Sequence, residues 1–391
     1  MKVAILGFGT VGKGVYKIIK KANGQTQNLS VSHILIRKNK EPILPEMTSE
    51  IDKILNDRET EVVVEAIGGI EPAHEYILSA LKHGKNVITA NKAVIAIYLK
   101  EFTEAAEKNN VKFYFEASVG GGIPWIQGLE KALRIDNVNS ISGIFNGTSN
   151  FILDQMSRNG ESFVDVLKKA QKLGYAEADP SADIDGYDVA NKLCISADIA
   201  YNIDIQNHQS LPIFGIRNIT CADVKYFQRR GLAVKLIGRT HQSGDKFDYV
   251  VEPTLFLDRT LEANTPDNYN LISLNGDTIG QLDFFGQGAG MYPTANAVIQ
   301  DILDIAERKI HLKRNFDKKM HYCPELTKGN YLVRSNKKID SIFKDYQLSQ
   351  EGAYVEVKKI PVGEMHHLMK EVLKSDAAAF MVSLPSQGEV A

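Results

Sequence analysis

Asp188 and Lys192 stand four residues apart, after the loop Gly174-Tyr175-Ala176-Glu177-Ala178-Asp179-Pro180 and the acids Asp183 and Asp185. An i, i+4 spacing puts acid and amine on one helix face whether or not they do chemistry. Taken alone, the pair reads as a surface ion pair worth only about 0.3–0.5 kcal/mol. Its neighbours Glu177 and Asp183 change that reading, because such a concentration of acids needs cations, which a substrate ammonium and Lys192 would supply. This inventory suits an enzyme that holds an amino-acid substrate and moves a proton. A calcium loop is the rival. Asp183-Ile184-Asp185-Gly186 lacks the third oxygen ligand, the glycine position and the distal glutamate of an EF-hand.

A second constellation opens the chain. The apolar run Lys2-Val3-Ala4-Ile5-Leu6 meets Gly7-Phe8-Gly9-Thr10-Val11-Gly12, followed by a helical pattern through Val15, Ile18 and Ile19. Strand, glycine loop and helix in that order make a dinucleotide fingerprint: Gly7 for the turn, Gly9 for backbone approach to a pyrophosphate, Gly12 for helix packing. Thr10 and Val11 would add amides at the helix N-terminus. An ordinary tight turn is the alternative. At the end of the next strand, Ile36-Arg37-Lys38-Asn39-Lys40 carries bases where an NAD-preferring fold places an acid, so Arg37 and Lys38 suit a 2′-phosphate and NADP(H) over NAD(H). A solvated basic turn is the other reading. Asn91-Lys92 ends a further strand, where such sheets bind ligands, and Lys92 would reach nicotinamide and substrate unless it is a surface lysine at a helix start. Phe285-Gly286-Gln287-Gly288-Ala289-Gly290 precedes a helical run at Ala295–Arg308; with Thr294 as cap, the helix N-terminus near Gly288 would face a cofactor or substrate anion.

These groups need a scaffold that brings loop ends together. Strand-like runs at Val31–Arg37, Val62–Ala66, Asn86–Ala90 and Val111–Glu116 alternate with helical patterns at Glu71–His83 and Ala93–Asn109, which predicts a parallel sheet covered on both faces. The fold class is therefore α/β: a Rossmann-like nucleotide-binding domain over 1–125, completed by the helix 294–308, with an α+β substrate and dimerisation domain over 126–293. The segment Gly120-Gly121-Gly122 is expected to be the hinge through which the chain leaves the first domain. A strand at Val138–Phe145, a turn at Asn146–Asn150 and helices at Phe151–Ser157 and Phe163–Leu173 would open the second, with sheet near Tyr249–Leu257 and Gln281–Phe285. The tail, 316–391, alternates extended Tyr331–Arg334, helical Ile339–Asp345, extended Ala353–Ile360, helical Glu364–Leu373 and extended Ala378–Leu384. That order predicts a small, separate βαβαβ module.

Composition narrows the function classes. The 391 residues allow two or three domains, and 43% hydrophobic with 24% charged content is that of a soluble globular chain. A net charge of −2 gives no electrostatic footprint for nucleic acid or an anionic membrane. Cys194, Cys221 and Cys323 are widely spaced, suggesting neither a zinc pattern nor a disulfide framework. His74, His83, His208 and His311 also lack metal-ligand spacing. No basic leader with an apolar core precedes the first strand and no apolar run reaches membrane-spanning length, so a cytoplasmic protein is expected.

Together these motifs resemble the homoserine dehydrogenase family. The resemblance rests on the glycine loop, Asn91-Lys92, Glu116-Ala117-Ser118-Val119-Gly120-Gly121-Gly122-Ile123-Pro124, Asn146-Gly147-Thr148-Ser149-Asn150-Phe151-Ile152-Leu153, and above all the stretch from Gly174 to Lys192, and it covers Met1 to about Arg308. It implies reversible NAD(P)-dependent interconversion of aspartate 4-semialdehyde and homoserine, on the route to threonine and methionine. Residue by residue, it implies Lys192 as proton donor and acceptor and Glu177 and Asp188 as substrate holders. Gly9, Thr10 and Val11 would form the cofactor loop, with Lys92 at cofactor and substrate and Gly174 as a backbone cofactor contact. It also implies a monovalent cation, usually sodium, held by Glu116, Val119, Gly121 and Ile123, and a homodimer or higher oligomer. Many relatives end in an ACT regulatory domain. This tail is ACT-like in its alternation but incomplete: Ser335-Asn336-Lys337-Lys338 stands where a Pro-Gly turn is expected, and one strand of the usual ββ pair is missing, so threonine feedback is not carried over.

On this reading Glu177 and Asp188 orient the semialdehyde's amino group, NADPH supplies hydride, and Lys192 protonates the nascent alkoxide, its pKa lowered by Lys92. Two rivals remain. Another amino-acid or semialdehyde dehydrogenase of this fold would need, for aspartate semialdehyde oxidation, a cysteine nucleophile, and Cys194 is buried by pattern. A nonenzymatic NADPH-binding regulator would need the fingerprint without the acid and lysine set.

Overall fold

The apolar N-terminal run forms strand β1 (Lys2–Leu6), buried from Val3 onward, and the chain then alternates helix and strand: α1 (Thr10–Lys21), β2 (Ser30–Leu35), β3 (Met47–Thr48), α2 (Ile51–Leu55), β4 (Thr60–Glu65), α3 (Ala73–Lys82), β5 (Asn86–Thr89), α4 (Lys92–Lys108), β6 (Phe113–Tyr114) and α5 (Trp125–Ala132). This computed structural model describes residues 1–205, 211–309, 311–314 and 316–385; His208 and the tail end 386–391 lie outside them. The strands pair in parallel in the order β3-β2-β1-β4-β5-β6. That is the strand order of the dinucleotide-binding fold, with its switch point between β1 and β4. Val3, Ile5, Val62, Val64 and Ile88 from the strands pack with Val15 and Ile19 of α1 in one core.

The following elements are β7 (Val138–Ile144), α6 (Gly147–Asn159), α7 (Phe163–Leu173), α8 (Ser181–Ile184), α9 (Tyr187–Tyr201), α10 (Cys221–Gln228), β8 (Leu232–Ser243), β9 (Lys246–Phe247), β10 (Val250–Leu257), β11 (Tyr269–Gly276) and β12 (Gly280–Gln287). Helix α11 (Met291–Ala306) belongs to the first core through Ala295, Val298 and Ile302, and Gly14 of α1 lets the two helices approach: a Cβ there would lie 2.8 Å from that of Ala295. Helix α11 is capped by Gly290, not by Thr294. Pro293, which has no N–H to leave unsatisfied, occupies its first turn, so the helix starts one turn earlier than the threonine signal suggested.

Contacts divide the chain into a first unit, Met1–Asn137 with Cys194–Gln206 and Gly286–Lys318, and a second, Val138–Leu193 with Asn207–Phe285 and Lys319–Ala391. The chain first leaves unit one at Asn137, so the expected hinge Gly120–Gly122 lies inside that unit. Its glycines serve close approach instead: a Cβ on Gly121 would sit 2.5 Å from the backbone of Gly288.

The tail also differs from its expected order. It forms β13 (His321–Tyr322), β14 (Lys328–Arg334), β15 (Gln347–Glu351), β16 (Tyr354–Pro361), α12 (Val362–Ser375) and β17 (Phe380–Ser383). The expected helix Ile339–Asp345 is a series of turns, from which Ile339 and Phe343 still reach the tail's core, giving a helix-like spacing without a helix. The strand that the sequence lacked is β15, a polar strand at the end of the sheet. Nor is the module separate: the second unit's sheet runs β12-β11-β7-β8-β10-β17-β14-β16-β15, with β17 pairing in parallel with β10.

Candidate active site

In the first unit the nucleotide candidates gather at the C-terminal ends of the parallel strands. Gly7 takes φ of +98° and its N–H donates to the Leu35 carbonyl at 3.1 Å. A Cβ on Gly7 would lie 2.7 Å from the Ala66 carbonyl oxygen, and one on Gly12 only 2.1 Å from that of Gly7, so packing alone demands both glycines. Gly9 is different, with no atom within 4 Å of where a Cβ would stand. Its missing side chain leaves room for a ligand rather than for the fold. Gly9 is also the N-cap of α1 and makes no side-chain cap, so Thr10, Val11 and Gly12 open a helix whose positive end suits an anion. Arg37 and Lys38 lie exposed in the turn after β2. Asn91 caps α4 through Oδ1 and donates from Nδ2 to the Gly69 carbonyl at 2.6 Å, placing half-buried Lys92 as the first residue of α4. Gly288 is buried against Gly121.

In the second unit, Asp188 and Lys192 lie on α9, exposed by only 3% and 6%. This overturns the surface-pair reading. Lys192 Nζ donates to Asp188 Oδ2 at 2.9 Å and to the Phe145 carbonyl at 2.6 Å. Asn270 Nδ2 donates to the same carbonyl at 2.8 Å. Asn146 Nδ2 donates to Asp183 Oδ1 at 2.7 Å and to Asp188 Oδ2 at 2.8 Å, so Asp183, Asp188 and Lys192 form one hydrogen-bonded set. The helix is held from below: Gly238 of β8 admits Val189 and Leu193, and the Tyr249 hydroxyl donates to the Ala190 carbonyl. Glu177 is not in the set. It is exposed, and it is its backbone carbonyl that accepts a hydrogen bond, from Gln171 at 3.0 Å. Gly174 ends α7 in the left-handed conformation, a helix-capping role that requires no cofactor. Asp185, from the same acidic run, pairs with Arg217 at 2.6 Å.

The cation candidates form a tight loop in the first unit. Glu116 is 4% exposed; its two carboxylate oxygens accept from the Ile126 and Gln127 amides at 2.9 and 2.8 Å, capping α5. Burial pushes its carboxyl up to about 7 against the pull of those amides. The N–H of Ile123 donates to Gly120 and its carbonyl accepts from Trp125, while Gly120 and Gly121 both take positive φ to close the turn. One carboxylate and three carbonyls, of Val119, Gly121 and Ile123, are oxygen donors of the kind a hard cation takes, and the Ile123 carbonyl and each Glu116 oxygen, bonded to one amide, have a second lone pair to offer.

The cysteine alternative loses its nucleophile. Cys194 is fully buried, and burial followed by the neighbouring Asp198 pushes its thiol well above the usual range. His74 sits between Glu71 and Glu101, and His311 between Glu130 and Asp304. Asn146 and Asn270 are the functional candidates that sequence reading missed. An asparagine before a helix is a cap signal, and Asn146 does cap α6, whose first turn replaces the turn expected at Asn146–Asn150. Nothing local marks its reach to acids 37 and 42 residues away.

Comparison with known proteins adds independent findings. A family model described as homoserine dehydrogenase matches residues 124–303, and one described as homoserine dehydrogenase, NAD binding domain, matches 7–116. The chain is 36% identical over 315 residues to the Bacillus subtilis homoserine dehydrogenase, covering 78% of this chain and 72% of that one. It is 35% identical over 402 residues to the Helicobacter pylori homoserine dehydrogenase, covering 100% and 93%. The crystal structure of a homoserine dehydrogenase from Thiobacillus denitrificans superimposes with a TM-score of 0.85 at 31% identity, covering 99% of this chain and 98% of that one.

Proposed function

The chain belongs to the homoserine dehydrogenase family and is an NAD(P)-dependent oxidoreductase, and from that premise we propose that Lys192 moves the proton and Asp188 and Asp183 hold the amino acid as L-aspartate 4-semialdehyde and L-homoserine interconvert. The set of half-buried Asp183 with buried Asn146, Asp188 and Lys192 carries this reading, because it offers acids for an α-ammonium beside an amine for the reacting oxygen. The bound nicotinamide supplies or accepts the hydride. In the reductive direction Lys192 gives a proton from Nζ to the oxygen as negative charge develops there, and regains one from solvent; in oxidation it takes the hydroxyl proton. The Phe145 carbonyl and Asp188 fix where Nζ stands, and their burial keeps water from competing. Exposed Glu177 would add its carboxylate to the ammonium site, and Gly174 a backbone contact to the cofactor. Following nicotinamide absorbance with aspartate 4-semialdehyde, and in reverse with homoserine, tests the reading. No absorbance change with either substrate would overturn it.

NADPH is the favoured cofactor, supported by the exposed Arg37 and Lys38 in the turn after β2, where a 2′-phosphate would meet two cations and no acid. Replacing both by alanine should raise the KM for NADPH about tenfold or more, the worth of a charge-assisted contact or two, while leaving that for NADH nearly unchanged. Equal losses for both cofactors would show the turn to be merely solvated.

Glu116 with the carbonyls of Val119, Gly121 and Ile123 is the proposed site for a sodium ion, which would offset the burial that raises this carboxyl despite the nearby His311 and Arg314. Exchanging sodium for choline at constant ionic strength should then lower the thermal midpoint, and Glu116→Gln should abolish the difference. Identical midpoints in both salts for the unaltered chain would exclude the ion. The enzyme is read as a cytoplasmic homodimer serving threonine and methionine synthesis. Light scattering at twice the chain mass checks the dimer. Among the described residues, no helix is long and apolar enough to cross a membrane.

A further inference from the structure

We infer that Glu65 is a positioning residue for the nicotinamide half of the cofactor site, an inference that rests on the dehydrogenase reading above. It ends β4 after Val62, Val63 and Val64, and like them it is fully buried. A carboxylate there is costly unless its oxygens find donors, and the donors come from two segments. Oε1 accepts from the Ile67 amide at 2.7 Å and the Gly68 amide at 3.3 Å, in the loop after β4. Oε2 accepts from the Thr89 hydroxyl at 2.5 Å, across a register pair of β4 with β5. The Thr89 oxygen in turn accepts from the Asn91 amide at 3.0 Å, and Asn91 returns to the first loop by donating from Nδ2 to the Gly69 carbonyl. Glu65 thus closes a ring of hydrogen bonds that runs from the loop 67–69, through the end of β5, to the start of α4 at Lys92.

Strand order tells which half of a dinucleotide this ring serves. A fold of this kind has two mononucleotide-binding halves, one on either side of its switch point. Arg37 and Lys38 follow β2, on the side of β1, β2 and β3, and are the groups that would meet the adenosine ribose. The other side is β4, β5 and β6, so the nicotinamide falls to the loops that Glu65 ties together. Those loops reach the crevice itself: a Cβ on Gly7 would lie 2.7 Å from the Ala66 carbonyl oxygen and 3.2 Å from the Cα of Ile67. Gly68 and Gly69 are exposed at positive φ, with no atom within 4 Å of where a Cβ would stand, which leaves a bare backbone face for a flat ring.

The alternative is that Glu65 only braces the fold. Glu65→Gln separates the two when NADPH is compared with 2′-phospho-ADP-ribose, which keeps the adenosine, both phosphate groups and the second ribose but has no nicotinamide. The amide preserves the volume and an oxygen for the loop's N–H groups, yet it turns an NH₂ toward Thr89 and so reverses the bond by which Glu65 reaches Asn91. Binding of NADPH, followed by its fluorescence, is expected to weaken about tenfold or more, the worth of a hydrogen bond to a charged group, and binding of NADH by the same factor. Affinity for 2′-phospho-ADP-ribose, measured by calorimetry, and the thermal midpoint should both hold. Equal losses for NADPH and the fragment would overturn the inference and reduce Glu65 to a brace, and unchanged binding of both would overturn it as well. Should the glutamine variant not fold, Thr89→Val, which removes the hydroxyl between Glu65 and Asn91 at nearly constant shape, must show the same split between NADPH and the fragment. An unaltered chain that binds neither NADPH nor NADH would overturn this inference together with the function; one that binds NADPH without turning over homoserine would overturn the function alone.

Discussion

Lys192→Ala is expected to lower turnover by about 10²–10⁴, the usual worth of a positioned general acid or base, with nicotinamide binding nearly unchanged. The cofactor candidates of the glycine loop belong to the first unit, whereas Lys192 donates within the second, to Asp188 and the Phe145 carbonyl. The structure adds a second consequence. Both partners are buried, so removing the ammonium leaves Asp188 ionised in a dry place, a change that typically costs about 3–5 kcal/mol. A poor enzyme that is also unstable would prove little. Lys192→Arg resolves the ambiguity: the guanidinium preserves a cation beside Asp188 but cannot give up its proton at accessible pH. We expect the arginine variant to melt closer to the unaltered chain than the alanine variant does, and to be equally inactive. Stopped-flow turnover and NADPH fluorescence titration measure the two effects separately. Turnover within tenfold of normal in the arginine variant would remove Lys192 from the proton's path.

Deleting residues 320–391 is expected to abolish soluble, active enzyme. Two fully buried carboxylates of the second unit depend on the tail. Asp223 of α10 accepts from Arg334 Nε at 2.7 Å and from the Tyr354 hydroxyl. Glu252 of β10 is held by Arg239 at 2.6 Å, by His366 of α12 at 2.7 Å and by the Tyr331 hydroxyl at 3.1 Å. Burial alone would raise Glu252's carboxyl, but Arg239 and His366 more than reverse this and bring it to about 2. Without the tail, Asp223 loses its cation and Glu252 loses two of its three partners. Each loss approaches the about 3–5 kcal/mol of a broken buried pair, against a total stability of about 5–15 kcal/mol. The cut also strips β17 from β10 and opens a long strand edge to aggregation. Soluble yield, a thermal melt and the nicotinamide assay check this. A truncated chain that melts cooperatively and turns over normally would restore the separate module expected from sequence.

The sequence by itself determined what depends on short spans. Alternating apolar runs and helical spacing announced the parallel sheet, and the glycine loop announced the strand-to-helix turn that Gly7 and Gly12 are packed to make. The interval between Asp188 and Lys192 put both on one helix, and the long motif through Gly174 to Lys192 identified the family. Burial of that pair was decided elsewhere, by Asn146 and Asn270 arriving from β7 and β11 and by Gly238 and Tyr249 beneath the helix. No periodicity marks such meetings, because they follow from which strands pair and in what register. The polar strand β15 and the turns at Ile339–Asp345 escaped for the opposite reason, since their local patterns imitate something else. Only the tertiary structure could show that the tail continues the second unit's sheet. The contact between His366 and Glu252 joins residues 114 apart, and it exists because β17 closes against β10 and brings α12 with it.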